Sequence, residues 1–172
     1  MFRPSGDVSM AAEFVFTRVF DASREDVWIA FTRPEHLKHW WGPPGCVVEV
    51  AHHELKPGGV FHYCMKFPDG RLMWARFVFR EIVPFERLVW LNSFSDDRGG
   101  ISRNPWVPSY PLETVNSVTF SDEDGKTLIK IAVTPANASE EEMHVFAAGI
   151  NGMKAGFGAC FNALAGYLAQ QR

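Results

Sequence analysis

The stretch VFHYCMKFPDGRLMWARFVF, residues Val60 to Phe79, decides the fold. Two runs rich in aromatic and β-branched residues flank Pro68-Asp69-Gly70, which reads as a β-hairpin. A three-residue loop with glycine in the left-handed position sets Phe67 opposite Arg71. Met65 then faces Met73, Tyr63 faces Ala75 and Phe61 faces Phe77. Because side chains alternate along a strand, these pairs collect on one apolar face. Continued through the next hairpin, the alternation carries that face along Phe79, Val89 and Leu91, with Ser93 as a polar member. Cys64, Trp74 and Trp90 then point outward, and Trp90 lies opposite Arg80 in position for a cation–π contact.

The strand upstream extends the same surface. Pairing Glu49 with Lys66 brings opposite charges together on the solvated side. That register sets His53 opposite His62 outside and His52 opposite Tyr63 inside. Further turn signals predict strands over Cys46–Leu55, Val60–Phe67, Leu72–Val83, Arg87–Phe94, Glu113–Phe120 and Thr127–Thr134. Both faces of the last two are mixed, and neither is assigned as inward. Ser95 to Leu112, with three prolines and Trp106, is too long for a hairpin and is a candidate functional flap.

Helices bracket the meander. A first strand, Glu13–Phe20, precedes Ser23 and Asp26, a capping-box-like helix start. Pro34 opens a second short helix to Trp41, ended by Gly42-Pro43-Pro44-Gly45. Ser139 and Glu142 form another capping box, and Met143, Phe146, Ile150, Met153, Phe157, Cys160 or Phe161, Leu164 and Leu168 recur every three or four residues. That stripe predicts one helix of roughly 30 residues, about 45 Å long. Gly149, Gly152, Gly156, Gly158 and Gly166 lie along it, each costing about 1 kcal/mol against alanine. So many glycines imply close backbone approach, or space left beside the helix.

Composition bounds the rest. The chain has 172 residues, 17 basic against 20 acidic side chains, a net charge of −3 and 47% hydrophobic residues. A pI near 6.1 argues against a nucleic-acid or membrane-surface partner, since both ask for a basic face. At this size a chain buries about 70% of its unfolded surface. No apolar run is long enough to span a membrane, and the opening residues do not read as a signal peptide. Residues 1–12 are expected to be a flexible tail and 13–172 a single domain. Three cysteines without a CxxC fit reduced thiols in the cytoplasm.

Several short motifs match one another's family context. They are Phe20-Asp21-Ala22 with Val27-Trp28, Pro34-Glu35-His36-Leu37 through Trp40-Trp41-Gly42-Pro43, Leu55-Lys56-Pro57-Gly58-Gly59, Arg80-Glu81-Ile82-Val83-Pro84-Phe85-Glu86-Arg87-Leu88-Val89, and the Gly149–Leu168 helix. The chain resembles the START-like (SRPBCC, Bet v-type) helix-grip superfamily, in the branch named after the activator of heat-shock-protein-90 ATPase. The resemblance implies an α+β fold: a strongly curved antiparallel sheet of six to seven strands wrapped around a long C-terminal helix. It leaves function open, because the superfamily spans lipid carriers, cyclases and co-chaperones. The terminal helix often carries a histidine and an aspartate or glutamine in such proteins. This chain has Ile150, Asn151 and Asn162-Ala163 instead.

A curved sheet gripping one helix leaves a tunnel unless large side chains fill it. The helix glycines and the inward polar His52 and Ser93 point to incomplete filling. The candidate ligand-binding residues are Trp41, His52, Tyr63, Met65, Phe77, Phe79, Leu91, Ser93, Met153, Phe157 and Phe161. Apolar walls with a few polar groups suit a small hydrophobic molecule that is bound without catalysis. A second reading is a cyclase-, dehydratase- or hydrolase-like enzyme on aromatic or polyketide-like substrates, with His52 or Tyr63 as acid or base. A third, carried by the family name alone, is a co-chaperone-type interaction module. His36 and His39 have no visible third ligand, so no metal and no cofactor is expected. A homodimer is the default assembly.

Overall fold

The computed structural model describes residues 12–171. The expected tail therefore lies outside the described residues, except for Ala12. The chain runs β1 (Phe14–Phe20), α1 (Arg24–Thr32), α2 (Pro34–Leu37), β2 (Val47–His53), β3 (Val60–Lys66), β4 (Leu72–Val83) and β5 (Arg87–Ser95). It continues through β6 (Ile101–Ser102), β7 (Glu113–Glu123), β8 (Lys126–Ala136), α3 (Glu140–Ala148) and α4 (Ile150–Gln170). The strands form one antiparallel sheet in the order β1-β8-β7-β5-β4-β3-β2, with β6 on β5. It is a curved, open sheet gripping a long C-terminal helix, an α+β helix-grip fold.

Local chemistry starts each helix. The Ser23 hydroxyl accepts from Asp26 N–H at 3.1 Å, and Glu25 and Asp26 add negative charge to the first turn. Ser139 accepts from Glu142 N–H at 3.1 Å in the same way. The expected single terminal helix is divided, because Gly149 (φ −88°, ψ −1°) separates α3 from α4.

The β3–β4 hairpin has the register read from its turn: Met65 faces Met73, Tyr63 faces Ala75 and Phe61 faces Phe77. Beyond it, two irregularities overturn the expected facing. In β2, Glu49 faces Cys64 rather than Lys66, although Lys66 Nζ still reaches Glu49 Oε1 at 2.7 Å. A register shift between Val50 and His52 then exchanges the two histidines. His53 faces Phe61 and packs its ring 5.3 Å from it, while His52 faces His62 outside. In β4 a second shift lies between Phe79 and Glu81, with Arg80 as the extra residue. One inserted residue reverses every later side chain. Trp90, Asn92 and Phe94 therefore share the face of Phe79, Phe77 and Ala75, their register partners. Val89, Leu91 and Ser93 fall on the opposite face, and the expected Arg80–Trp90 pair does not exist.

The two faces left unassigned resolve through the same ladder. Thr114, Asn116, Val118 and Phe120 on β7 and Ile129, Ile131 and Val133 on β8 are buried, with shorter or charged side chains alternating outward. The outer face is not bare near β3. Trp74 stacks on His62 at 4.8 Å, and the β5–β6 turn folds over them, with Arg76 Nη1 donating to Gly99 O at 2.7 Å.

Candidate functional site

The inner sheet face and α4 do not mesh along their whole length. α4 packs against β1 and α1, where Phe157 stacks on Phe14 at 5.5 Å and Phe161 meets Phe16 at 5.6 Å and Phe20 at 5.6 Å. Away from that anchor, between α4 and β3–β5, lies a partly open cavity of about 380 Å³. Two features keep protein side chains out of it. Ala75 is a small residue between its larger register partners Tyr63 and Phe94. Gly156 lines the helix side, and a Cβ added there would meet nothing within 4 Å. The helix glycines thus leave space rather than admit another backbone.

Six expected residues line this cavity: Trp41, Tyr63, Met65, Ser93, Met153 and Phe157. Ser93 does so at a position whose side chain alternates to the Arg76 face. The other five lie elsewhere. Phe77 sits behind Trp41, stacked on Trp90 at 4.7 Å. Phe79 is buried beside His53, and Leu91 lies on the opposite face. Phe161 is fully buried among Phe16, Phe20, Phe31 and Trp40. His52 is on the outer side, its side chain 59% exposed and 3.9 Å from Glu54. An acid–base role for His52 toward anything in the cavity is excluded by that placement.

Sequence reading missed Asn92 and Phe94, which the Arg80 irregularity turns inward, and also Gly42, Pro43, Pro44, Gly156 and Cys160. Met73 and Ala75 are also outside the candidate set, although the hairpin register already puts them on its apolar face. A comparably large groove of about 420 Å³ lies between the start of α1 and the β7–β8 turn. Its walls include Arg24, Glu25 and Asp122, so it is a solvated surface feature rather than an apolar enclosure.

The electrostatics of the cavity are simple. Trp41 Nε1–H donates to the Tyr63 hydroxyl oxygen at 2.9 Å. Burial pushes the Tyr63 phenol far above its ordinary pKa, so it stays protonated and can donate but cannot serve as a base. Cys160 Sγ donates to Trp40 O at 3.3 Å, and burial raises its pKa to about 12. It is a thiol, not a nucleophilic thiolate. At the edge, Tyr110 OH lies 3.8 Å from Met153 Sδ, and burial raises that phenol to about 12. Among the described residues, no group of three His, Cys, Asp or Glu side chains could hold a metal ion, and no helix is long and apolar enough to cross a membrane.

Comparison with known proteins places this geometry. A family model described as Activator of Hsp90 ATPase homolog 1-like protein matches residues 21–169. A solution structure of a protein from Arthrobacter aurescens is similar at 28% identity and a TM-score of 0.78, covering 93% of this chain and 87% of that one. A crystal structure from Mycobacterium smegmatis is similar at 25% identity and a TM-score of 0.73, covering 90% and 88%. A crystal structure from Rhodobacter sphaeroides, at 22% identity and a TM-score of 0.73 over 93% and 94%, shares the fold. No curated protein matches the chain.

Proposed function

The chain belongs to the family described as Activator of Hsp90 ATPase homolog 1-like protein, and from that premise we propose that it binds a small hydrophobic molecule between β3–β5 and the middle of α4. The observation that supports this reading is the apolar cavity of about 380 Å³, within the roughly 300–1,000 Å³ usual for small-molecule sites. A hollow of that size leaves its wall atoms short of dispersion contacts that an apolar guest supplies. Free Cys46, Cys64 and Cys160 fit a cytoplasmic setting for this binding. Binding without chemistry is favoured over catalysis because the lining offers only a protonated phenol, a thiol already donating to a carbonyl, an amide, and Ser93, whose side chain alternates to the Arg76 face.

The test is thermal unfolding against a panel of neutral aromatic and aliphatic compounds. A ligand at one hundred times its Kd stabilises the folded state by about 2.7 kcal/mol. Wild type should show such a rise with at least one compound. Ala75→Leu, which puts three more carbons into the hollow, should fold and lose it. A panel that shifts nothing, or shifts Ala75→Leu equally, overturns the reading.

A further inference from the structure

The polar groups on the cavity wall are few enough to state what they can recognise. No lining residue carries a charge; Trp41, Pro43, Pro44, Met65, Met73, Ala75, Phe94, Met153 and Phe157 are apolar over most of their surface. Cys160 has its thiol proton on Trp40 O. Ser93 alternates to the Arg76 face, so what remains is the Tyr63 hydroxyl and the Asn92 amide.

Tyr63 carries the sharper information. Its oxygen already accepts the Trp41 indole N–H at 2.9 Å, which orients the phenol and directs its own proton elsewhere. Among the described residues, no acceptor takes that proton. The side chain is buried, so the group is a fixed donor in a dry wall, and leaving such a donor without an acceptor is unfavourable. Asn92 stands on β5, two residues before Phe94, the residue across β4 from Tyr63, with its amide likewise unspent among the described residues. Its strand neighbour in register, Thr114, belongs with Asn116, whose Nδ2 donates to Thr114 Oγ1 at 3.1 Å. That pair is uncharged and stands behind the cavity lining rather than in it.

Charge exclusion follows from the same inventory. A carboxylate or ammonium in this cavity would lose its hydration with no counter-ion facing it, a cost that the apolar walls do not offset. The remaining wall is aromatic rings and three methionine sulfurs, which adapt to flat partners and make favourable sulfur–ring contacts. The volume of about 380 Å³ is near the lower end for small-molecule sites, fitting about two or three fused rings rather than a long acyl chain.

Resting on the binding reading above, we infer that the occupant is a neutral fused-ring compound bearing a carbonyl-type hydrogen-bond acceptor, and that the Tyr63 hydroxyl donates to that acceptor. Tyr63 is thereby the residue that discriminates a ring ketone from the corresponding hydrocarbon.

The experiment is calorimetric titration of the full chain with three probes of similar shape: 1-tetralone, tetralin and 1-naphthoate. Wild type should bind 1-tetralone roughly three- to tenfold more tightly than tetralin, the range of a net neutral hydrogen bond, and 1-naphthoate more weakly than either. Tyr63→Phe should bring 1-tetralone down to the affinity of tetralin and leave tetralin unchanged. Equal binding of ketone and hydrocarbon by wild type, a difference that survives in Tyr63→Phe, or tightest binding of 1-naphthoate overturns the inference while leaving hydrophobic binding intact. Binding of none of the three, together with a flat thermal panel, removes both. Should Tyr63→Phe not fold, the wild-type comparison of ketone with hydrocarbon decides alone.

Discussion

His53 is half-buried, its Nε2 has no hydrogen-bond partner among the described residues, and its ring lies against Phe61 and Phe79. Burial lowers its pKa below the ordinary 6.5; the Glu35 carboxylate opposes the shift and the neighbouring His52 adds to it. A depressed folded-state pKa means that the folded chain holds its proton less tightly than the unfolded chain does. The resulting stability is fully present above pH 6.5 and is lost as pH falls through the folded value. Urea unfolding at pH 7.5 and pH 5 should show wild type losing stability on acidification. His53→Phe, which keeps an aromatic ring and removes the unpaired nitrogen, should lose less. Equal losses in the two proteins would assign the acid sensitivity to other groups. This histidine, not His52, is the one that the sheet turns inward, and it sits toward α1 and Glu35 rather than in the cavity.

At the level of elements, α4 combines an anchored stripe with glycines that touch nothing. A Cβ added at Gly152, Gly156, Gly158 or Gly166 would meet no atom within 4 Å. Helical glycine costs about 0.5–1 kcal/mol relative to alanine, so Gly166→Ala, outside the cavity lining, should raise unfolding stability by about that amount and leave ligand affinity unchanged. Gly156→Leu should instead abolish ligand binding, because its side chain enters the hollow. Denaturant midpoints and calorimetry check the pair, and a destabilised Gly166→Ala would mean that the helix backbone needs the glycine. The apolar stripe was readable because 3.6-residue periodicity is carried by the side chains themselves, and the Ser139 cap that opens α3 was readable from its residue types. The β3–β4 pairing was readable because Pro68-Asp69-Gly70 fixes a register that nothing later disturbs. What could not be read was the insertion at Arg80, since Phe79-Arg80-Glu81-Ile82 carries no glycine or proline to mark it. That single residue decides whether Trp90 and Asn92 or Val89 and Leu91 face α4, and it removed Leu91 from the candidate site. The shift between Val50 and His52 did the same to His52.

Across the whole molecule, the cavity exists because α4 is fixed on one side only. Arg18 Nη1 donates to Asn162 Oδ1 at 2.5 Å and the Phe14–Phe157 stack holds the helix to β1, while β3–β5 curve away on the other side. The chain between β6 and β7 connects these two sides. Arg103 Nη1 meets Glu142 Oε1 at 3.0 Å, and Ser109 Oγ lies 3.4 Å from Glu141 Oε1, tying the segment to α3. At its other attachment, Trp106 packs edge-on against Phe67 at 5.4 Å, with the Arg71 guanidinium 5.2 Å from the Trp106 ring. Phe67 follows β3 two residues after Met65, which lines the cavity, so this clamp reaches the rim of the site from the hairpin side. Trp106 is 49% exposed, and its removal should cost global stability only about 1 kcal/mol. Its kinetic effect should be larger: if the strap restrains the rim, Trp106→Ala speeds entry and exit of 1-tetralone together and changes Kd little, because the ligand does not touch Trp106 in either state. Stopped-flow fluorescence of the remaining tryptophans reads both rates. Unchanged rates with an intact thermal shift would place the entry route elsewhere along α4, and a large loss of affinity would make Trp106 part of the binding surface itself.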